Sequence, residues 1–319
     1  MLLYHMFLML GGYLYSEQME RLRAQPGRPR TDDEWPAVSV LIPAHNEEVV
    51  IRYTLDAMLR LDYPRDKIEI IVIDDDSRDR TGEIVDEYCV RDSRVRCLHL
   101  KPPNAAKGKS NALNQGLKIA RGEYIVVYDA DNTPNSAAVK YLVEAALEDP
   151  SIGAVTGKFR VVNAKKNLLT RFINIETISF QWMAQAGRWY WFGISTIPGT
   201  NFLIRQSLLE EMGGWDVKAL TEDTEMSIRL YEKGYKIRFF PLAVTWEQEP
   251  ETWKVWLKQR TRWVRGNQYV IVKNLPRILR RRQGRIVFDL IYFFFTYFVF
   301  LIGVVLSHLL MILNPGSSI

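Results

Sequence analysis

Cysteine and histidine are scarce in this chain of 319 residues, which has two of the first and four of the second. Cys89 and Cys97 have no metal-ligand spacing and need no pairing, which excludes a disulfide framework and suits a reducing cytosol. The four histidines are scattered and suggest no catalytic triad. No internal repeat is present. No GxGxxG follows the first expected strand, where Pro43-Ala44-His45-Asn46-Glu47 offers no glycine for a tight phosphate turn; a dinucleotide-binding oxidoreductase is therefore disfavoured. The apolar amino terminus, Met1 to Tyr15, lacks both a basic leader and a small-residue cleavage site, so it reads as a membrane helix or interfacial anchor rather than a signal peptide.

The length suits one large domain or two small ones. Apolar residues are unevenly spread. Ile286 to Leu313 is long enough to span a bilayer, for which about 20 apolar residues suffice. Arg21 and Arg23 follow the first apolar segment, and Arg277, Arg280, Arg281, Arg282 and Arg285 precede the second. By the positive-inside rule everything between them is expected in the cytoplasm, at the cell membrane. The net charge of +5 then speaks for anionic headgroups and not for nucleic acid. The resulting division is a membrane helix or anchor over 1–24, a linker over 25–36, a catalytic domain over 37–250, amphipathic interface helices over 251–285 and a transmembrane helix over 286–313.

Within the catalytic domain the pattern alternates. Strands are expected over Val38 to Pro43, Ile68 to Ile73, Val95 to Leu100 and Glu123 to Asp131, with helices between them. This order predicts an α/β fold with a mainly parallel, helix-covered sheet, and ligands bind beyond the carboxyl ends of such strands. Polar clusters stand there: His45-Asn46-Glu47, Asp74-Asp75-Asp76 and Asp129-Ala130-Asp131.

Each cluster has a functional and a structural reading. Strand alternation sends Asp129 and Asp131 to one side if extended geometry persists, which suits a hard divalent cation; taken alone, the motif is better explained by an Asx turn that ends the strand. One of the three aspartates from Asp74 to Asp76 can accept from a ribose or a uracil N–H, or the run is a solvated turn before a helix. Lys107 and Lys109 at a helix start oppose the macrodipole, a conflict that a pyrophosphate resolves and that exposure to water also resolves. Thr221-Glu222-Asp223 is good N-terminal helix chemistry, or it aims Asp223 at an attacking hydroxyl. Gln259, Arg262 and Trp263 share a helix face that can offer a guanidinium and an indole to a ligand, or else snorkel at a bilayer.

Taken in order, Pro43-Ala44-His45-Asn46-Glu47, Asp74-Asp75, Lys107-Gly108-Lys109, Asp129-Ala130-Asp131, Gly199-Thr200, Thr221-Glu222-Asp223 and Gln259 with Arg262-Trp263 resemble the inverting family 2 glycosyltransferases. The resemblance covers about residues 37 to 275 and is to processive membrane synthases of the poly-N-acetylglucosamine, hyaluronan and cellulose type. It implies the GT-A nucleotide-sugar fold and a UDP-sugar donor, with N-acetylglucosamine favoured. The acceptor is the hydroxyl end of a β-linked polysaccharide or, alternatively, a lipid carrier taking a single sugar. An accessory membrane subunit is a further expected partner.

By the same resemblance Asp75 contacts uridine, Lys109 lies by the diphosphate, and Asp129 with Asp131 holds Mg or Mn. Asp223 is the general base, Arg262 steadies the leaving group and Trp263 floors the acceptor site, while Glu47, Gly199, Thr200, Glu222 and Gln259 complete the substrate site. Two departures stand out. Asp76 occupies a place where many relatives have Gly, and the chain ends at Ile319 after one expected spanning helix where processive relatives continue with more.

Overall fold

The computed structural model describes residues 2–24 and 30–280. Eight strands form one sheet in the order β3-β2-β1-β4-β7-β6-β8-β5. β1 (Val38–Ala44), β2 (Ile68–Asp75), β3 (Val95–Leu100) and β4 (Tyr124–Val127) are parallel, as their alternation with helices requires. Apolar residues run almost unbroken along β1, β2 and β4 because both faces are covered. Val40, Ile42, Val72 and Val126 face one core, shared with α2 (Ile51–Leu59), α3 (Thr81–Arg91) and α5 (Ala138–Leu147). Leu41, Ile71, Ile73 and Val127 face a second, shared with α4 (Lys109–Leu117), α8 (Gln206–Glu211) and α9 (Glu222–Glu232).

The other half of the sheet departs from the mainly parallel expectation. β7 (Phe202–Arg205) runs antiparallel to β4 and to β6 (Ile152–Val161), and β5 (Thr133–Pro134) runs antiparallel to β8 (Lys236–Glu247), so the sheet is mixed. The reason lies in the connection. The chain enters β7 from the Pro198-Gly199-Thr200 loop at the carboxyl end of β4, and a strand entered from that end must run back.

Asp129-Ala130-Asp131 is likewise not extended. β4 stops at Val127, and the Asn132 N–H donates to the Asp129 carbonyl at 3.1 Å to close a turn. The long aromatic helix expected over Leu168 to Tyr190 is α6 (Leu168–Ser179), a π-helical stretch Phe180–Gly187 and α7 (Arg188–Phe192).

The amino terminus forms α1 (Leu2–Ala24), which packs on the domain through Leu8, Tyr15 and Met19. Gly11 and Gly12 allow the approach, since a methyl on either would overlap Trp191 or the Trp182 carbonyl, and the Tyr15 hydroxyl donates to Phe239 O at 2.6 Å. Among the described residues no helix is long and apolar enough to cross a membrane. The helix expected over 286–313 lies outside the described residues. Within the stretch 251–285, expected as amphipathic interface helices, the chain forms α10 (Trp253–Arg280).

Candidate active site

The site forms where β1, β2 and β4 end. Two loops are first zipped together there. His45 Nδ1 donates to the Asp75 carbonyl at 2.7 Å, leaving Nε2 to accept from Asn46 Nδ2 at 2.9 Å. The Asn46 N–H donates to Ser77 Oγ at 3.0 Å, and Asn46 Oδ1 accepts from Arg78 N–H at 2.8 Å. Asn46 and Asp76 both hold positive φ, 58° and 59°, a region that glycine enters without cost and that Asn and Asp tolerate best among the rest. That accommodates Asp76 in a conformation that glycine would adopt freely.

Asp75 is buried at this junction and accepts the Ala106 N–H at 2.7 Å. Asp74 points to the other side, 2.9 Å from His99 Nδ1, while His99 Nε2 lies 3.0 Å from Asp86. The Asp74 hydrogen bond, aided by Asp86, holds the imidazole above its ordinary pKa. Burial raises the Asp74 carboxyl, but its bonds from Ser77 and His99 outweigh this and leave it below the usual range. Cys97 comes close enough to join Asp86 and His99 as a convergent group, with ligand atoms within 4.8 Å, a proximity its sequence spacing did not reveal.

Lys109 opens α4 and, half-buried, sets its ammonium on the Asp129 carboxylate, with a second bond to the Gly199 carbonyl at 3.0 Å. Burial acts to depress its pKa, but the charges of Asp129, Glu222 and Asp223 hold it above the ordinary lysine value, so it stays cationic. Thr200 braces the same turn. Its hydroxyl accepts the Asp129 N–H at 3.0 Å and donates to Asn132 Oδ1 at 2.5 Å. Gly199 has φ 91° and sits against Asp223, where an added methyl would lie 3.3 Å from Oδ2. Asp223 is raised to about 6, first by burial and then by the Glu222 charge. It therefore keeps proton affinity near neutrality, which an acetate-like group in water lacks.

A second acidic set faces the aspartate turn from β8. Strand pairing puts Thr133 opposite Trp246, which brings the following residues, Glu247 to Glu249, alongside Asn132 and Asp131. Burial and the charges of Asp131 and Asp129 raise Glu47 to about 6. Asp131 is raised by burial and then by Asp129, and Glu247 is raised well above the usual range by burial, Glu249 and Asp131. Carboxylate oxygens crowded beside a single turn repel one another, and a hard divalent cation would relieve that repulsion. The donor set at Asp129 and Asp131 fits such an ion. Glu247 had no sequence signal, because only the β5–β8 pairing brings it here.

Thr221 stands before α9 but does not cap it: its hydroxyl is buried without a partner among the described residues and its methyl packs on Gly266 of α10. The Thr224 hydroxyl donates to Asn267 Oδ1 at 2.7 Å, so α10 crosses the start of α9 beside Asp223. Of the residues expected on α10, Gln259 accepts from Arg260 at 2.8 Å, and Trp263 carries the Arg260 guanidinium 4.2 Å from its ring centre. Arg262 is exposed, with no hydrogen bond or ion pair among the described residues. The structure thus brings Glu47, Lys109, Asp129, Asp131, Gly199, Thr200, Glu222 and Asp223 together, places Asp75 at the same sheet end, and leaves Arg262 outside the cluster.

A family model described as "Glycosyltransferase like family 2" matches residues 36–266. The chain is 60% identical over 314 residues to the probable glycosyltransferase YdaM of Bacillus subtilis (strain 168), covering 98% of this chain and 74% of that protein. It is 34% identical over 251 residues to the poly-β-1,6-N-acetyl-D-glucosamine synthase of Staphylococcus aureus (strain COL), covering 79% of this chain but 59% of the synthase. Among solved structures, the mannosyltransferase PcManGT of Pyrobaculum calidifontis, in complex with GDP-Man and Mn2+, superposes with a TM-score of 0.65 at 23% identity over 92% of this chain and 81% of that one. S. aureus TarS 1–349 in complex with UDP-GlcNAc gives 0.54 at 18% identity, over 75% and 66%. Both share the α/β GT-A-like fold.

Proposed function

This chain belongs to glycosyltransferase family 2, and on that premise we propose that it moves N-acetylglucosamine from a UDP-sugar to the hydroxyl end of a growing β-linked polysaccharide. The observation that carries the reading is the placement of Asp223: a carboxylate with its affinity raised to about 6, held against Gly199 and next to the Lys109–Asp129 pair. The staphylococcal relative supports the donor and product class.

In the proposed step Asp223 takes the acceptor's hydroxyl proton as that oxygen attacks the anomeric carbon from the side opposite UDP. The bond to the diphosphate oxygen breaks, and its electron pair leaves with UDP. Lys109 stays cationic in the site and can meet that charge. A divalent cation on Asp129 and Asp131 would supply further charge neutralisation to the diphosphate. Asp75, at the end of β2, is the group for the uridine. Exposed Phe172, Ile175 and Ile178 on α6, with Trp253 and Leu257 on α10, support a catalytic domain held against a bilayer.

The test is UDP release from a panel of UDP-sugars, with and without Mn2+, in the wild type and in Asp223→Asn. The expected result is a metal-dependent preference for one UDP-sugar and a loss of about 10²–10⁴-fold in the variant. A wild type that releases UDP from none of the panel, or a variant at full rate, refutes the reading. Product sizing then separates polymer from a single sugar on a lipid carrier.

A further inference from the structure

β3 is the outer strand at one end of the sheet, and α3 packs beside it. Cys97 and His99 stand two residues apart on β3 and so share one side of the strand, while Asp86 comes from α3. The ligand atoms of these three residues lie within 4.8 Å of one another, with Cys97 Sγ 3.8 Å from His99 Nδ1 and Asp86 Oδ1 3.0 Å from Nε2. Around a tetrahedral zinc ion, ligand atoms stand about 3.3–3.8 Å apart, as bonds of about 2.0 Å to nitrogen or oxygen and about 2.3 Å to sulfur require. Side-chain rotation is enough to close this set on one ion.

The imidazole is already oriented for such a role. A metal-ligating histidine characteristically donates its other ring N–H to a carboxylate, which fixes the ring and raises its basicity as a ligand. Asp74 supplies that carboxylate: its side chain is 5% exposed and its Oδ2 accepts from Nδ1 at 2.9 Å. Asp74 is fixed in turn, because its Oδ1 accepts the Ser77 N–H at 3.1 Å. Gly82 of α3 closes on the pair, since an added methyl would lie 2.9 Å from Asp74 Oδ2 and 3.2 Å from His99 Cε1. With Nδ1 committed to Asp74, Nε2 is left on the Asp86 side. Solvent reaches that side, as the Asp86 side chain is 60% exposed and that of His99 36%, so an ion has a path in. Two carboxylates on one imidazolium make an ion-pair clamp by themselves; the thiol beside them is what a metal site adds.

We propose that Asp86, Cys97 and His99 form a second metal site, which takes a borderline divalent cation of the zinc class through a carboxylate oxygen, a thiolate and Nε2, with water in the fourth position. Sulfur and imidazole select such an ion over the hard Mg or Mn that suits the oxygen donors of Asp129 and Asp131. The metal replaces the Nε2 proton shared with Asp86 and the thiol proton of Cys97, and both pass to solvent. A bound ion staples the outer strand to α3. Through Asp74 it also braces the nucleotide end of β2, because Ser77, bonded to Asp74 through its N–H, accepts the Asn46 N–H on Oγ at 3.0 Å.

The test is binding of Zn2+ and Co2+ to the full chain, stripped of metal and kept reduced, by competition with a chromophoric chelator and by the absorption spectrum of bound Co2+. The wild type is expected to hold one zinc that excess Mg2+ does not displace, and its Co2+ form to show a thiolate-to-metal charge-transfer band. Cys97→Ser removes the band, and His99→Gln weakens zinc at least tenfold. Asp74→Asn weakens it by about 10–100-fold, as loss of a carboxylate behind a ligating histidine does. Asp131→Asn leaves both the band and the zinc affinity unchanged, which separates this site from the one proposed for the diphosphate. In the wild type, zinc also slows alkylation of Cys97 by iodoacetamide, read by peptide mass spectrometry, a measurement that needs no variant to fold. A Co2+ spectrum without the band, zinc affinity unchanged in Cys97→Ser and His99→Gln, or Cys97 alkylated at the same rate with zinc present overturns the site. Binding is read without turnover, so its failure leaves the glycosyl-transfer reading untouched.

Discussion

Replacing Asp223 by Asn separates a catalytic carboxylate from a structural one, because the two roles move activity and stability in opposite directions. In the folded chain the carboxyl is raised from 3.8 to about 6 by burial and by Glu222. A raised carboxyl is protonated more readily folded than unfolded, so its ionisation opposes folding. That cost is absent below the unfolded pKa near 4, grows as pH rises through 4 to 6, and is complete above about 6. At about 1.4 kcal/mol per unit, the shift amounts to at most about 3 kcal/mol at pH 7. Asn carries no charge and escapes the cost. Asp223→Asn should therefore melt up to several degrees higher than wild type at pH 7.5, since about 1 kcal/mol moves Tm by about 2–4 °C at this size. The gain should vanish at pH 4. Turnover should fall about 10²–10⁴-fold at the same time. Differential scanning fluorimetry at the two pH values and a UDP-release assay check this. A variant that melts lower at pH 7.5 would show that the carboxylate is a stabilising partner, and the assignment as a base destabilised by burial would be abandoned.

In the wild type, turnover at saturating donor should rise with pH through about 6 as Asp223 loses its proton, and Glu222→Gln should move that limb to lower pH; a limb that stays put would mean Glu222 does not act on the base. Thr200→Val removes the acceptor for the Asp129 N–H and the donor to Asn132, and should cost about 1–3 kcal/mol in denaturant unfolding together with weaker Mn2+ binding read by electron paramagnetic resonance. Gly266→Ala drives a methyl into Thr221 and should cost about 1–3 kcal/mol and lower turnover, both recovered in the double variant with Thr221→Ala; a double variant no better than the single would place the defect elsewhere. Chelation with EDTA should abolish UDP release in the wild type, and Asp131→Asn should raise the Mn2+ concentration that restores it.

The parallel half of the fold was legible because periodicity carries it. β1, β2 and β4 are buried on both faces, so their apolar runs are nearly continuous, and the helices between them leave only parallel pairing open. Chemistry collects at the carboxyl ends of such strands, and that made Asp75, Asp129 and Asp131 readable as candidates from order alone. Asp223 came from the order of motifs, since its local pattern fits an ordinary helix start equally well.

Tertiary structure decided the rest. The reversal of β7 depends on where the Gly199 loop hands the chain back, which no periodicity records. Lys109 is a surface lysine by sequence, and only its seat among Asp129, Glu222 and Asp223 makes it a half-buried, ion-paired cation. Arg260, and not Arg262, lies over Trp263 and ties α10 to α6, a choice set by the rotation of one helix against its neighbours. Glu247 and Glu249 are distant in sequence from Asp131 and meet it through the pairing of β5 with β8. Sequence determines which groups exist and how each element repeats; burial, partner and charge environment arise only when separate elements enclose one volume, because desolvation and Coulomb energy depend on distance in space and not along the chain.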